Sequence, residues 1–270
     1  MADHSTDGAW DLIVTPWHLD EHIPAFPIPA TATQVIRPAL PAGPVPARVS
    51  LLHRAAHDAV TRADRPLVLS GDCTTSRASV AALQRRHRDL AVLWLDAHGD
   101  FNTPTISTSG YLGGMALAML TGRTPGLFDD TLGLEPIPDT SIVLADARDL
   151  DPAERDALTT SHVHRVPAGP AAITSALGRL GPVPVYLHLD IDVIDGGELP
   201  GARVPSGPGP SLAQIEECLA AACAAADITA AHIACTWLPE QVSDQTSRQT
   251  ITRLTAALGA GLAWHEPAGR

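Results

Sequence analysis

The chain has 270 residues, 45% of them hydrophobic, and a formal net charge of −12 at pH 7. This length and apolar content suffice for one large core, and we expect a single domain over residues 1–270. The negative charge argues against binding to nucleic acid or to an anionic membrane, since both need a basic face. All 18 basic residues are arginine, which excludes mechanisms that need a catalytic lysine, such as a Schiff base with pyridoxal phosphate or a Walker A loop.

The expected compartment is the cytoplasm. The N-terminus, MADHSTDGAWD, lacks the basic start and apolar stretch of a signal peptide, and no segment reaches the length of a membrane span. The four cysteines, Cys73, Cys218, Cys223 and Cys235, form no CxxC pair. We therefore expect a reduced, cytoplasmic protein without a disulfide framework.

In the N-terminal half, strand-like and helix-like segments alternate. The predicted elements are a strand at Asp11–Thr15, a helix at Arg48–Arg65, a strand at Leu67–Ser70, a helix through about His87, a strand at Ala91–Leu95 and a short helix at Met115–Leu120. A long loop runs from Pro16 to about Pro46. Its His18 and His22 are candidates for an active-site loop, although exposed loop histidines are the more ordinary interpretation.

The C-terminal half continues the alternation. Its predicted elements are a strand at Ser141–Leu144, a helix opened by Asp151 and Pro152, a strand at His162–Val166, a helix at Ile173–Leu180, a strand within Val185–Asp195, a helix at about Leu212–Ala226, a strand at Ile228–Thr236 and a helix at Thr246–Leu262. The pattern predicts an α/β fold with one parallel sheet covered by helices on both faces.

Five potential metal ligands follow two of the apolar strands: Asp96, His98 and Asp100 after the first, and Asp190 and Asp192 after the second. Alternate residues at a strand end point the same way, so each group can converge on one spot. A lone DxHxD would more often be a surface turn or a helix cap. Two such groups concentrate negative charge so strongly that neutralising cations are indicated.

We expect Cys73, which follows the strand at Leu67–Ser70, to join these ligands at the carboxyl ends of neighbouring strands. Carboxylates can bridge two cations about 3.5–4 Å apart, which lower the pKa of a shared water and make it a nucleophile. Oxygen-rich ligation with one imidazole favours Mn²⁺, while the thiolate leaves zinc or iron open. The alternative for Cys73 is a small buried apolar residue.

These residues carry a resemblance to the ureohydrolase family, which includes arginase and agmatinase. DAHGD is similar to the family's DAHxD signature, HLDIDVID to SxDxDxxDP, and SGDCTTS to GGDHS. The resemblance covers nearly the whole chain and implies a three-layer α/β/α fold with a mostly parallel sheet and two Mn²⁺ per chain. The ligands it implies are Cys73, Asp96, Asp100 and Asp190 for one metal and Asp96, His98, Asp190 and Asp192 for the other. Asp96, Asp100 and Asp190 would thus hold the metals and the bridging hydroxide that attacks the substrate.

The resemblance also implies contacts to the substrate. Asn102, Ser107 and Ser109 align with the arginase segment that receives the α-carboxylate and the α-amino group. Asp151 and Glu154 lie in a segment similar to RDxDPxE, whose acidic residues hold the α-ammonium. A small guanidino amino acid with an intact head group therefore fits better than agmatine. Helix capping is the alternative role for Asp151 and Glu154, and both roles can coexist.

Several positions depart from the arginase pattern. Cys73 replaces the first histidine ligand, Gly113 stands where arginase has a histidine thought to shuttle protons, and Tyr111 replaces an asparagine. Cys235 occupies the place of the glutamate that pairs with the guanidinium, and Glu240, five residues on, is a candidate substitute. Tyr111, Cys235 and Glu240 are thus possible site residues.

These departures remove the histidine thought to shuttle protons and the glutamate that pairs with the guanidinium. General acid–base catalysis typically raises a reaction rate by about 10²–10⁴-fold, so the case for an ordinary arginase is weaker. A hydroxylated guanidine is less basic, and its hydroxylamine-type fragment leaves more easily. The pattern favours hydrolysis of Nω-hydroxy-L-arginine to L-ornithine and hydroxyurea, a reaction that the resemblance associates with antibiotic biosynthesis.

Two alternatives stay open. One is an arginase or other guanidino-acid hydrolase whose protons travel through His18, His22 or Tyr111. The other is a non-catalytic metal-binding relative, which the missing histidine and glutamate favour and the second metal position argues against. Arginases that trimerise extend beyond the last helix, whereas here only Gly261–Arg270 follow it, so we expect a monomer.

Overall fold

A computed structural model describes residues 9–129, 131–199, 201–238, 240–241 and 245–264. Parts of the N-terminal and C-terminal segments used in the sequence analysis lie outside the described residues. The strands are β1 (Asp11–Thr15), β2 (Trp17–His18), β3 (Glu21–His22), β4 (Gln34–Val35), β5 (Pro66–Ser70), β6 (Ala91–Asp96), β7 (Ile142–Asp146), β8 (His164–Val166), β9 (Pro184–Asp190) and β10 (Asp227–Ala234). The α-helices are α1 (Val45–Arg62), α2 (Ser76–Gln84), α3 (Ala116–Leu120), α4 (Pro152–Thr160), α5 (Pro170–Leu180), α6 (Leu212–Ala225) and α7 (Gln245–Ala257).

Eight of these strands form one sheet in the order β4-β1-β5-β10-β9-β6-β7-β8. Every adjacent pair in it is parallel. β2 and β3 form a separate antiparallel hairpin. The predicted parallel sheet is therefore confirmed, and its carboxyl edge gathers the loops that follow β5, β6, β9 and β10.

Helices cover both faces of the sheet. Along β6, Leu93 and Leu95 pack in the apolar cluster that includes α5, α6 and α7, whereas Val92 and Trp94 pack in the cluster that includes α1, α2 and α3. A strand buried on both faces must be apolar at every position, which is why these strands show no polar alternation. The three-layer α/β/α architecture is confirmed.

The loop from Pro16 to Pro46 differs most from the prediction. It contains the β2–β3 hairpin and the edge strand β4, which pairs with β1 through Gln34 and Val35. Strands of two residues are too short to show any periodicity, so no sequence pattern predicts them. Further on, Asp151 does precede α4, with Pro152 in its first turn, but the Asp151 side chain makes no capping hydrogen bond.

None of the helices in the described ranges is both long enough and apolar enough to cross a bilayer.

We predict that buried His53 makes the protein less stable in acid. His53 lies on α1 with Nε2 3.2 Å from Thr74 Oγ1, and burial together with nearby Arg77 lowers its pKa to about 3. In the unfolded chain its pKa returns to about 6.5. Between these values the unfolded state binds one more proton than the folded state. The free energy of unfolding should therefore fall by up to about 1.4 kcal/mol for each pH unit as the pH drops from about 6.5 towards 3.

Urea unfolding with EDTA, between pH 6 and pH 4, measures this slope. His53→Gln should flatten it, whereas His162→Gln, at an exposed position, should not. Equal slopes for wild type and His53→Gln would contradict the assignment.

Candidate metal centre

A cleft of about 270 Å³ opens at the carboxyl edge of the sheet. Cys73 follows β5, Asp96 ends β6 and Asp190 ends β9. The prediction that these ligands follow neighbouring strands holds for β6 and β9 but is wrong for β5, because β10 lies between β5 and β9. The intervening strand contributes its own side chain: Thr236, just beyond β10, donates a hydrogen bond to Asp190 Oδ1 at 2.8 Å.

The predicted ligands lie close together. Those that line the cleft are Cys73, His98, Asp100, Asp190 and Asp192. Asp96 is buried, and its Oδ1 is 3.4 Å from Nδ1 of His98. The same ring nitrogen is 3.1 Å from Asp192 Oδ2, and Cys73 Sγ is 2.8 Å from Asp190 Oδ2. Three separate segments therefore bring six ligand-type side chains into one cluster.

Local turns orient these side chains. Asp96 Oδ1 accepts the backbone N–H of His98 at 2.7 Å, and Asp190 Oδ1 accepts that of Asp192 at 3.0 Å. In each pair the first carboxylate therefore bends the chain so that the second side chain faces the cleft. Asp100 has φ +49°, in the left-handed region that costs energy for a residue with a Cβ. Such strain is typical of functional sites.

The cluster is electrostatically unfavourable without a cation. Burial and repulsion from Asp96 raise the pKa of Asp100 well above its usual value, and burial and repulsion from Asp192 do the same for Asp190. Burial and Asp96 raise the pKa of Asp192 to about 7. Burial lowers the pKa of His98, but hydrogen bonds to Asp192 and Asp96 outweigh it and raise the pKa to about 12. These carboxylates thus favour positive charge beside them.

The donor set fits divalent cations. Asp100 Oδ2 is buried and has no hydrogen-bond partner among the described residues, as expected of an atom reserved for a metal. The side chains of Asp96, His98 and Asp192 offer ligand atoms within 4.8 Å of one another. A second group with the same spacing joins Cys73 and Asp96 to His188, a residue that the sequence analysis did not single out.

Arg148 and Trp94 also support the centre, and neither was predicted. Arg148 pairs with Asp146 and donates to the backbone oxygens of Asp192 and Val193 at 3.2 and 2.9 Å. Trp94 Nε1 donates to Asp96 Oδ2 at 3.1 Å. The Arg148 contacts to Asp192 and Val193 join segments more than 40 residues apart, so no local sequence pattern indicates them. The Trp94–Asp96 contact lies within β6, between residues two positions apart.

The predicted substrate contacts divide into two sets. Those on the cleft wall are Asn102, Ser109, Asp151 and Glu154. Asn102 Nδ2 donates to Asp151 Oδ2 at 3.3 Å, and buried Glu154 accepts the backbone N–H of Phe101 at 2.8 Å. Ser107 does not line the cleft, and its Oγ accepts the N–H of Gly110 in the adjoining turn.

Tyr111 lies on the cleft wall, in the space beside Gly113. A Cβ on Gly113 would collide with the Tyr111 ring. The phenol oxygen is 3.3 Å from Nε2 of His18, whose Nδ1 lies 3.0 Å from the backbone oxygen of Gly71. Burial raises the pKa of the Tyr111 phenol, so the group stays protonated at neutral pH. Tyr111 and His18 therefore form a hydrogen-bonded pair at the cleft.

The other candidates lie elsewhere. Cys235 is fully buried in the apolar cluster on the α5–α7 side of the sheet, and Thr236 lines the cleft instead. Glu240 is exposed and is not among the cleft residues. His22 contacts Trp17 edge to face at 5.0 Å and does not line the cleft either.

Comparisons with known proteins agree with this geometry. The model of the Arginase family matches residues 26–265. N(omega)-hydroxy-L-arginine amidinohydrolase from Streptomyces lavendulae is 34% identical over 161 residues, 59% of this chain and 57% of that protein. Arginase from Staphylococcus aureus (strain COL) is 35% identical over 149 residues, 50% of this chain and 48% of that protein. The chain thus spans about half the length of the curated relatives it matches.

Among solved structures, arginase from Bacillus subtilis superposes with a TM-score of 0.78 at 23% identity, covering 93% of this chain and 98% of that one. At this identity the similarity shows the shared fold.

We predict that Asp190→Asn removes metal-induced stabilisation. A ligand at 100 times its Kd stabilises a protein by about 2.7 kcal/mol, which raises Tm by about 5–10 °C for a chain of this size. Adding Mn²⁺ to EDTA-stripped wild type should produce such a rise. Asp190→Asn should lose most of it, because Asp190 is central to the cluster, whereas Asp58→Asn, with a side chain that is 68% exposed, should retain it. Equal Mn²⁺-induced shifts for wild type and Asp190→Asn would disprove the site.

Proposed function

Because the chain belongs to the arginase family, we propose that it is an amidinohydrolase acting on the guanidino group of an arginine-like amino acid. The substrate we propose is Nω-hydroxy-L-arginine, and the products are L-ornithine and hydroxyurea. The observation that carries this proposal is a single cleft in which the ligand cluster, an acceptor pair for an ammonium group and the Tyr111 phenol face one another.

We propose that the ligand cluster holds two Mn²⁺ ions. Cys73, Asp96, Asp100 and Asp190 would bind one ion, and Asp96, His98, Asp190 and Asp192 the other. When bound, the ions supply Lewis acidity and lower the pKa of a water that becomes the nucleophile. The buried, unpartnered Oδ2 of Asp100 and the mutual repulsion of the carboxylates support this assignment.

Asn102 and Asp151 suit an α-ammonium group. Asn102 donates its amide N–H to Asp151 and keeps a buried Oδ1 that has no hydrogen-bond partner among the described residues. That oxygen and the Asp151 carboxylate can both accept hydrogen bonds from an ammonium group, which donates three. Glu154 acts differently: it holds the backbone of Phe101 and thereby positions Asp100. A substrate with an ammonium group at this part of the cleft is therefore favoured.

The far end of the cleft suits a guanidine that carries no full positive charge. Cys235 has no carboxylate and is buried in the core, and Glu240 is exposed outside the cleft. Neither residue can therefore pair with a guanidinium group in the cleft. An Nω-hydroxyl group withdraws electron density and makes the guanidine less basic. The relative from Streptomyces lavendulae, whose name specifies this hydroxylated substrate, supports the choice. The arginase relative makes L-arginine the competing substrate.

We propose that Tyr111 is a catalytic residue that donates a hydrogen bond to the departing nitrogen–oxygen fragment. His18 holds the phenol oxygen at the cleft. Because its Nδ1–H donates to the Gly71 oxygen, the phenol proton is free for the fragment when His18 also carries an Nε2–H and donates it to the phenol oxygen. Gly113 leaves the room that the Tyr111 ring occupies.

We also propose that the protein acts as a cytoplasmic monomer on a small molecule, without nucleic-acid or membrane partners.

A substrate comparison tests the function. With Mn²⁺ present, kcat/KM for Nω-hydroxy-L-arginine should exceed that for L-arginine by about 10² or more, because the departing fragment needs less acid–base help. Mass spectrometry should identify L-ornithine and hydroxyurea. Faster turnover of L-arginine would show an arginase, and bound metal without turnover of either compound would show a non-catalytic relative.

A variant of Tyr111 tests the hydrogen-bond donor. Tyr111→Phe keeps the ring and removes the hydroxyl, so kcat should fall by about 10²-fold while KM changes little, since the contact forms with the departing group. His22→Gln, on the β2–β3 hairpin and outside the cleft lining, is the control and should retain wild-type kinetics. Unchanged kcat in Tyr111→Phe, with the wild type active, would exclude this role and leave the reaction itself established.

A further inference from the structure

His188 lies on β9, two residues before the predicted ligand Asp190, and is fully buried. Its Nδ1 is 3.0 Å from Ser76 Oγ and 3.1 Å from His232 Nδ1. Its Nε2 is buried and has no hydrogen-bond partner among the described residues. A buried polar atom without a hydrogen-bond partner destabilises the fold, which indicates that this nitrogen binds a ligand.

The surrounding hydrogen bonds fix the tautomer of His188. Ser70 Oγ donates to the backbone oxygen of Asp72 at 2.6 Å, so it accepts the Nε2–H of His232, also at 2.6 Å. Nδ1 of neutral His232 is then an acceptor. Nδ1 of His188 lies 3.1 Å from this acceptor and therefore carries the proton. The Nε2 of His188 therefore carries a lone pair and no proton, the state that a metal ligand needs.

The His188 ring is also held in place. It stacks on Trp94 with ring centroids 3.5 Å apart and an interplanar angle of 19°, and it meets His232 edge to face at 4.8 Å. Trp94 in turn donates to Asp96. A ring clamped between two aromatic neighbours cannot rotate its nitrogen towards another protein partner.

The side chains beside His188 are typical metal ligands. A ring nitrogen of His188, Cys73 Sγ and a carboxylate oxygen of Asp96 lie within 4.8 Å of one another, and all three residues are buried. Metal–ligand bonds of about 2.0–2.3 Å bring ligand atoms within such a distance of one another. A sulfur, an imidazole nitrogen and one oxygen form a donor set of intermediate softness, which suits Zn²⁺, Co²⁺ or Fe²⁺ better than Mn²⁺.

We propose that His188 Nε2 is a metal ligand. It binds the cation that Cys73 and Asp96 hold. This imidazole shifts the metal preference of that position from Mn²⁺ towards Zn²⁺, Co²⁺ or Fe²⁺. The inference rests on the metal centre of the proposed function and is independent of the proposed substrate. The two positions are then unlike: the His98 position has one imidazole and carboxylates, whereas the Cys73 position has a thiolate and a deeply buried imidazole.

The absorption spectrum of the Co²⁺-loaded protein reports this ligand without any assay of activity. Wild type should show thiolate-to-metal charge transfer in the near ultraviolet and visible bands typical of a low-coordinate site. His188→Asn should change the visible bands and weaken binding of one Co²⁺ by about tenfold or more. His87→Asn is the control, because Nε2 of His87 contacts Thr229 Oγ1 at 3.3 Å near the start of β10, away from the carboxyl edge of the sheet, and this variant should keep the visible bands. The same spectrum and affinity in wild type and His188→Asn would overturn the proposal.

A measurement on the wild type alone covers the case in which His188→Asn does not fold. X-ray absorption of protein loaded with two Zn²⁺ should detect two imidazoles per pair of ions, from His98 and His188. One imidazole per pair would exclude His188 as a ligand. If that result were found in a protein that still hydrolyses its guanidino substrate, the ligand proposal would fail while the proposed function stood.

Discussion

Mutual repulsion among buried carboxylates is the constraint on which the rest of this structure depends. Asp96, Asp100, Asp190 and Asp192 meet at one edge of the sheet, each at most 5% exposed. Two like charges about 4 Å apart repel by about 4 kcal/mol at an effective dielectric constant of 20. Such a cluster persists in a folded protein only if cations compensate the charge or protons neutralise it, so the fold and the cations it would bind are thermodynamically linked.

Hydrogen bonds from the scaffold orient the ligands. The turns after Asp96 and Asp190 use one carboxylate oxygen each to accept a backbone N–H, and Glu154 and Arg148 hold the neighbouring backbone. Gly99 leaves room for this packing, because a Cβ there would lie 2.8 Å from the Glu154 carboxylate. The site is thus preorganised by a second layer of polar contacts, which is typical of metal centres.

Three departures from the arginase pattern, Cys73, Tyr111 and Gly113, line the cleft. Tyr111 occupies space that a side chain at Gly113 would need, so a side chain at position 113 requires a change at Tyr111. Cys235 departs as well but lies in the apolar core. Asp96, His98 and Asp192 keep the family signature. This distribution is consistent with the proposed hydrolysis and with an altered substrate or metal preference.

The sequence by itself determined the strand–helix alternation, the apolar strands and the ligand types, because helical apolar spacing and uninterrupted apolar runs follow directly from the order of residues. It also indicated that Asp96, His98, Asp100, Asp190 and Asp192 belong together, since alternate residues at a strand end share a direction. Only the tertiary structure decided that β10 lies between β5 and β9, that Cys235 faces the core and Thr236 the cleft, and that His188 approaches Cys73. These relations depend on strand order and on ring packing between residues more than 90 positions apart, and no local pattern encodes them.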